Sequence, residues 1–190
     1  MTPAVQNILI ANIVCFMLQS VVGENIISGL ALWPLSGPFM PWQLVTYAFL
    51  HGSVMHIAFN MYGLWMFGRE LEALLGSKVF LQLYFASVLS AGILQVLVGT
   101  FTGGIYPTVG ASGGVFGLLL AYAMFFPNRV VMLLFPPVAL PARMFVFLYA
   151  GIELMLGVTG TQAGVAHFAH LGGMIGAYLL IRYRSRSRWR

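Results

Sequence analysis

Eight charged side chains are all that interrupt the first 181 residues: Glu24, Arg69, Glu70, Glu72, Lys78, Arg129, Arg143 and Glu153. The apolar runs between them are long, and that spacing decides what medium the chain can fold in. A soluble domain of this size needs a charged surface, with about 25% of its residues ionised. Here Asp, Glu, Lys and Arg make up 7% of the chain and hydrophobic residues 60%. The chain is expected to live in a bilayer as an all-α polytopic membrane protein.

Cut at the charges and the Gly/Pro clusters, the runs give six candidate transmembrane helices, at about 5–22, 52–68, 78–98, 112–126, 143–158 and 165–181. A hydrocarbon core of about 30 Å takes about 20 residues of helix. The fourth run is short of that: Ser112 to Phe126 is fifteen residues, about 22 Å at 1.5 Å per residue. Its outer end is therefore expected below the membrane surface, with the Gly-rich segment 99–114 dipping in as a re-entrant loop. Non-helical backbone at such depth must be surrounded by protein or a wet cavity. The stretch 130–141 is apolar but broken by Pro136, Pro137 and Pro141, and reads as an interfacial loop. Met1 to Asn7 carries no basic residue, so the first run is expected to be a retained helix and not a signal peptide.

Charge placement orients these spans. Five of the nine basic residues, Arg182, Arg184, Arg186, Arg188 and Arg190, fall in the last nine positions. Residues 182–190 are read as a basic cytoplasmic tail on a transmembrane domain of residues 1–181. Alternation then puts every basic residue inside and none in the outer loops, about 23–51, 99–111 and 159–164. The positive-inside rule places both termini in the cytoplasm. Such a tail is a topology signal, so the net charge of +5 does not ask for a nucleic-acid partner.

Missing residue types exclude other chemistry. One cysteine, Cys15, permits no intrachain disulfide and no Cys-based zinc site. The chain has no aspartate, which removes a Ser-His-Asp triad, an Asp dyad and an EF-hand. The match of residues 110–114 to G-x-S-x-G lacks the strand and downstream acid that a hydrolase elbow needs.

Polar groups inside apolar spans are costly and are functional candidates. They are His56 and Asn60 in the second span, Ser112 opening the fourth, Glu153 in the fifth, and His167 and His170 in the sixth. Alternating topology puts His56, Asn60, Ser112 and His170 at similar depth in the outer part of the membrane. Gly113 and Gly117 share one helix face, and Gly173 and Ala177 another; small residues four apart let helices approach closely. Ser112 Oγ is thus expected within hydrogen-bond reach of His170, the base a serine needs to become a nucleophile. Free N–H groups at the start of the fourth helix favour negative charge. His56 and Asn60, one turn apart, can donate to an oxyanion beside them or hydrogen-bond the re-entrant loop.

GASG (110–113), HIAFN (56–60) and AHLGG (169–173), in this order among six helices, resemble the rhomboid intramembrane serine proteases over essentially the whole chain. The resemblance implies a Ser–His dyad that cleaves transmembrane segments of other proteins near their outer ends. Ser112 would be the nucleophile and His170 the general base, with Gly110, Gly113 and Gly173 in the supporting motifs. His56, Asn60 and the Ser112 N–H would form the oxyanion hole. Phe116 matches an aromatic that stacks on the catalytic imidazole. The fifth span and the loop before Ser112 resemble elements that gate substrate access. Trp42 is followed by Gln43 where the family often has Arg, which weakens any claim to hydrogen bonds there. The last small residue of the sixth-span motif is Ala177, where the family often has glycine.

Other readings compete. His51 is expected to brace the outer loop. His167, one turn before His170, raises a metal site, but no carboxylate or thiol is placed to complete the shell; no metal and no cofactor are expected. Glu153 is a functional carboxylate or an interface residue, the latter preferred. Glu70 and Glu72 read as solvated, with Arg69, in an inner loop. The alternative functions are a non-catalytic rhomboid-like protein that binds membrane helices, and a haem protein with His56 and His170 as axial ligands. A small transporter lacks an inverted repeat. The expected partners are transmembrane protein substrates and the lipid bilayer. With no targeting segment or further domain expected, a bacterial inner membrane suits the chain, its site opening to the periplasmic side.

Overall fold

The computed structural model describes residues 2–132, 138–160 and 166–187. Among them are eight α-helices. The longest are α1 (Pro3–Val22), α4 (Val54–Leu75), α5 (Ser77–Thr102), α6 (Ser112–Phe125), α7 (Ala142–Thr159) and α8 (His167–Ser187). The short α2 (Glu24–Leu30) and α3 (Gln43–Thr46), with a 3-10 turn at Tyr47–Phe49, build the long first connection. Three helices, α1, α5 and α7, are both long and apolar enough to cross a membrane. Of the other three, α4 and α8 carry charge clusters toward their C-terminal ends and α6 has only 14 residues, about 21 Å.

Local chemistry sets the ends. Pro3 sits at the first turn of α1, where its missing N–H costs nothing. The Ser53 hydroxyl caps α4 by accepting from the His56 N–H at 3.1 Å. Gly76, at φ +77°, is the sole break between α4 and α5; that left-handed backbone, which glycine adopts freely, reverses the chain in one residue.

Three helices pack through glycine. A Cβ on Gly113 would lie 2.5 Å from the Ala91 Cβ, one on Gly172 would lie 2.9 Å from the Ala91 Cα, and one on Gly176 would lie 2.6 Å from the Ala86 carbonyl oxygen. A Cβ on Gly173 would overlap the Gly113 carbonyl, and one on Gly117 the Ser87 side chain. Small residues therefore bring α5, α6 and α8 into backbone contact. Phe80, Leu83, Tyr84, Val88 and Leu118 fill the core beside them. By contrast α7 buries only Ala142, Phe145, Val146 and Glu153.

Several expectations need correcting. The chain is not wholly α: Val130–Met132 (β1) pairs antiparallel with Ala139–Pro141 (β2), Val131 opposite Leu140. Proline bars this stretch from helix and its β-branched residues suit a hairpin; residues 133–137 lie outside the described residues. No inner loop holds Arg69, Glu70 and Glu72, because α4 runs on to Leu75. Glu72 is buried rather than solvated, and its two carboxylate oxygens each accept a 2.8 Å hydrogen bond, from the Ala4 and Val5 N–H groups. It satisfies the orphan donors at the start of α1 and faces the positive end of its dipole. The helix α8 continues through residues 182–187; residues 188–190, and most of the 159–164 loop, lie outside the described residues.

Candidate active site

Ser112 is the first residue of α6, and its place is set by what holds the segment before it. Leu32 and Thr108 exchange two backbone hydrogen bonds of 2.9 Å, and the Gly110 N–H donates to the Tyr47 carbonyl at 2.9 Å. Tyr47 is fully buried and its hydroxyl donates to the Val88 carbonyl on α5 at 2.8 Å. Gly110 sits at φ +126°, and a Cβ there would lie 2.7 Å from His56 Nε2 and 3.7 Å from Ser112 Oγ. The glycine both permits the turn and lets the His56 imidazole approach the serine.

His170 lies on α8, opposite. Its Nε2 is 2.7 Å from Ser112 Oγ, and the glycine contact between α6 and α8 is what brings the two so close. Phe116, one turn into α6, stacks on the imidazole with ring centroids 4.2 Å apart and planes 4° from parallel. The stack fixes the ring plane. A hydroxyl within hydrogen-bond reach of an imidazole nitrogen, in a largely buried place, is an arrangement that can move a proton.

The remaining residues named from the sequence lie around this pair. His56 is half-buried and accepts a long 3.4 Å hydrogen bond from the Gly52 N–H at Nδ1. Asn60 is buried, and its Nδ2 has no hydrogen-bond partner among the described residues. His51 is wholly buried edge-on to His56, centroids 5.1 Å apart. Burial first and then the neighbouring His56 push its imidazole down to about 4, against a backbone hydrogen bond at Phe49, so it is neutral at physiological pH. Its backbone is clamped by Gln19 of α1, which donates to the His51 carbonyl at 2.7 Å and accepts from its N–H at 3.1 Å.

The contacts of three residues could not be read from the sequence. Gln19 is one. Gln43 is another: its Oε1 accepts from the Trp33 and Met40 N–H groups at 3.3 and 3.1 Å, and its Nε2 donates to the Gly29 and Pro38 carbonyls at 3.3 and 3.2 Å. Where the departure from the family's arginine weakened any claim to hydrogen bonds, Gln43 supplies four of its own. An amide with two donors and two acceptors can do so, but no sequence pattern announces it.

Glu153 is the third, and here the expectation fails most clearly. A carboxylate is placed beside both histidines. Its Oε2 lies 2.6 Å from His167 Nδ1 and 2.9 Å from His170 Nδ1; the first is a hydrogen bond, the second a bent close contact. Glu153, His167 and His170 could supply three metal ligands. The spacing suits hydrogen bonding better, since ligands sharing one tetrahedral zinc at about 2.0–2.2 Å stand more than about 3 Å apart.

The fold is a mostly helical bundle with exposed apolar faces, and within it a half-buried serine lies beside a buried histidine. The family model for the rhomboid domain matches residues 38–187, and the chain belongs to the rhomboid family, with its polytopic membrane fold. It is 32% identical over 152 residues to presenilin-associated rhomboid-like protein A, mitochondrial, of Danio rerio, covering 77% of this chain and 38% of that protein. It is 29% identical over 192 residues to rhomboid protease GlpG of Serratia proteamaculans, covering 98% of this chain and 64% of that one. For the rhomboid protease GlpG of Yersinia enterocolitica the figures are 29% over 188 residues, 97% and 64%. The chain thus spans less than two thirds of the length of these relatives.

Proposed function

We propose that the protein is an intramembrane serine endopeptidase that cleaves transmembrane segments of other membrane proteins near their outer ends. The 2.7 Å contact between Ser112 Oγ and His170 Nε2 carries this reading; the bis-histidine haem alternative has no use for it. Ser112 attacks the scissile carbonyl carbon while its proton passes to His170 Nε2. The tetrahedral oxyanion takes hydrogen bonds from the Ser112 N–H, His56 and Asn60, whose unpartnered Nδ2 then gains an acceptor. The proton returns to the leaving amine, the peptide bond breaks, and an ester to Ser112 remains. Water, deprotonated by His170, hydrolyses that ester. No metal or cofactor takes part in these steps.

In this reading six helices, α1 and α4–α8, span the bilayer with both termini in the cytoplasm. Residues 1–181 form the transmembrane domain and 182–190 a basic inner extension. The site opens to the periplasmic side of a bacterial inner membrane. The positive-inside distribution supports this orientation.

Reconstitution in liposomes with a transmembrane substrate peptide tests the proposal. Wild type is expected to release two fragments, and Ser112→Ala and His170→Ala none above background, with thermal unfolding midpoints unchanged. Wild-type cleavage by either variant would sink it, and a folded wild type that binds substrate helices without cutting them would favour a non-catalytic role.

A further inference from the structure

Glu153 is the one buried residue in the outer two thirds of α7, and the dyad makes no use of it. A carboxylate in an apolar span is costly to insert, so its partners should explain it. Among the described residues they are His167 and His170. A carboxylate kept only to tie α7 to α8 needs one of them. The second is the nitrogen of the general base that Ser112 leaves free.

We propose that Glu153 is a positioning residue for His170, itself held by His167, so that Ser112, His170, Glu153 and His167 form one chain of contacts across α6, α8 and α7. The inference rests on the Ser112–His170 reading above and deepens it. To accept a proton at Nε2, the imidazole must carry its own proton at Nδ1. Phe116 fixes the plane of the ring, but an aromatic face does not distinguish one tautomer from the other. The Glu153 carboxylate does, because it can only accept.

His167 completes the device. It stands one turn before His170 on α8, its ring nearly perpendicular to that of His170 with centroids 6.4 Å apart. Its Nδ1–H donates to the same Oε2 at 2.6 Å, which anchors the carboxylate between the two rings. During acylation the Ser112 proton moves to His170 Nε2 and the Nδ1 proton stays where it is. Glu153 remains ionised and faces the imidazolium. The chain lacks aspartate, and this glutamate from another helix occupies the place an orienting acid would take.

A small fluorophosphonate probe separates positioning from a purely structural tie, because it reaches Ser112 without needing a whole helix to enter past α7. For Glu153→Gln, the labelling rate constant is expected to fall ten- to hundredfold, with the unfolding midpoint unchanged. On a transmembrane peptide, kcat is expected to fall by the same factor with KM unchanged. His167→Gln, which leaves Glu153 in place, is expected to fall less, about three- to tenfold. A folded Glu153→Gln protein that labels within twofold of wild type would overturn the proposal. Nitrogen-15 NMR of histidine-labelled wild type reads the tautomer even if the variant does not fold. A His170 protonated at Nδ1 supports the inference, and one protonated at Nε2 overturns it. A wild type that takes no label sinks the protease reading alone, and the tautomer still decides this one.

Discussion

The two sides of the His170 imidazole are built in opposite ways. On the Ser112 side, α5, α6 and α8 meet through Gly113, Gly117, Gly172, Gly173 and Gly176, where an added Cβ has no room. On the Glu153 side, α7 presents an apolar surface: Phe147 is 77% and Val158 73% exposed. One wall is fixed by backbone contact and the other is held by a polar tie. A nucleophile and its base need a geometry good to fractions of an ångström, which close-packed glycine supplies. On the proposed function, a substrate helix would come past the α7 wall, which can be held by contacts that break singly.

Substitutions that sharpen this contrast should differ in size. Gly173→Ala puts a methyl group into the Gly113 carbonyl and is expected to cost at least about 1–3 kcal/mol as overpacking. Because Gly113 adjoins Ser112, the thermal midpoint in detergent should fall and labelling of the serine should be lost with it; an unchanged midpoint would mean that the helices can part. Gln43→Leu removes the side-chain acceptor of the Trp33 and Met40 N–H groups, at about 0.5–1.5 kcal/mol for each hydrogen bond lost. Its unfolding midpoint should drop, and protease nicking within residues 29–43 should speed up. Glu72→Ala removes the cap of α1, expected to cost about 0.5–2 kcal/mol, read in the same melt with activity retained. Phe147→Ala, on the exposed face of α7, should stay within about 0.5 kcal/mol of wild type. A large loss there would show that α7 is held by more than its few buried residues.

Much of this was legible in the sequence because charge is so sparse. Eight charges before residue 182 mark the spans, and the six long helices follow the apolar runs to within a few residues except at the end of α8, which runs on to Ser187, and at the end of α4. There the reading failed because Glu72 looks solvated by type and is buried by contact: its partners, Ala4 and Val5, are backbone donors 68 and 67 positions away. Ser112 and His170 stood out as polar groups in apolar helices, with small residues beside them. Glu153 stood out equally, yet its partners could not be read. Which face of α7 turns toward α8 depends on the connection between them, and α7 has too few buried residues to betray a periodicity. Gln19 and Gln43 act on backbone carbonyls and amides of distant loops, which leaves no trace in residue pattern. The hairpin of β1 and β2 was hidden by its apolar composition, and only its prolines argued against helix.

The central claim is that Ser112 is activated by His170, and mapping a covalent adduct tests it most directly. Wild-type protein treated with a fluorophosphonate and digested should carry the added mass on Ser112 alone, and Ser112→Ala and His170→Ala should carry none. An adduct on another serine, or one that persists undiminished in His170→Ala, would contradict the account.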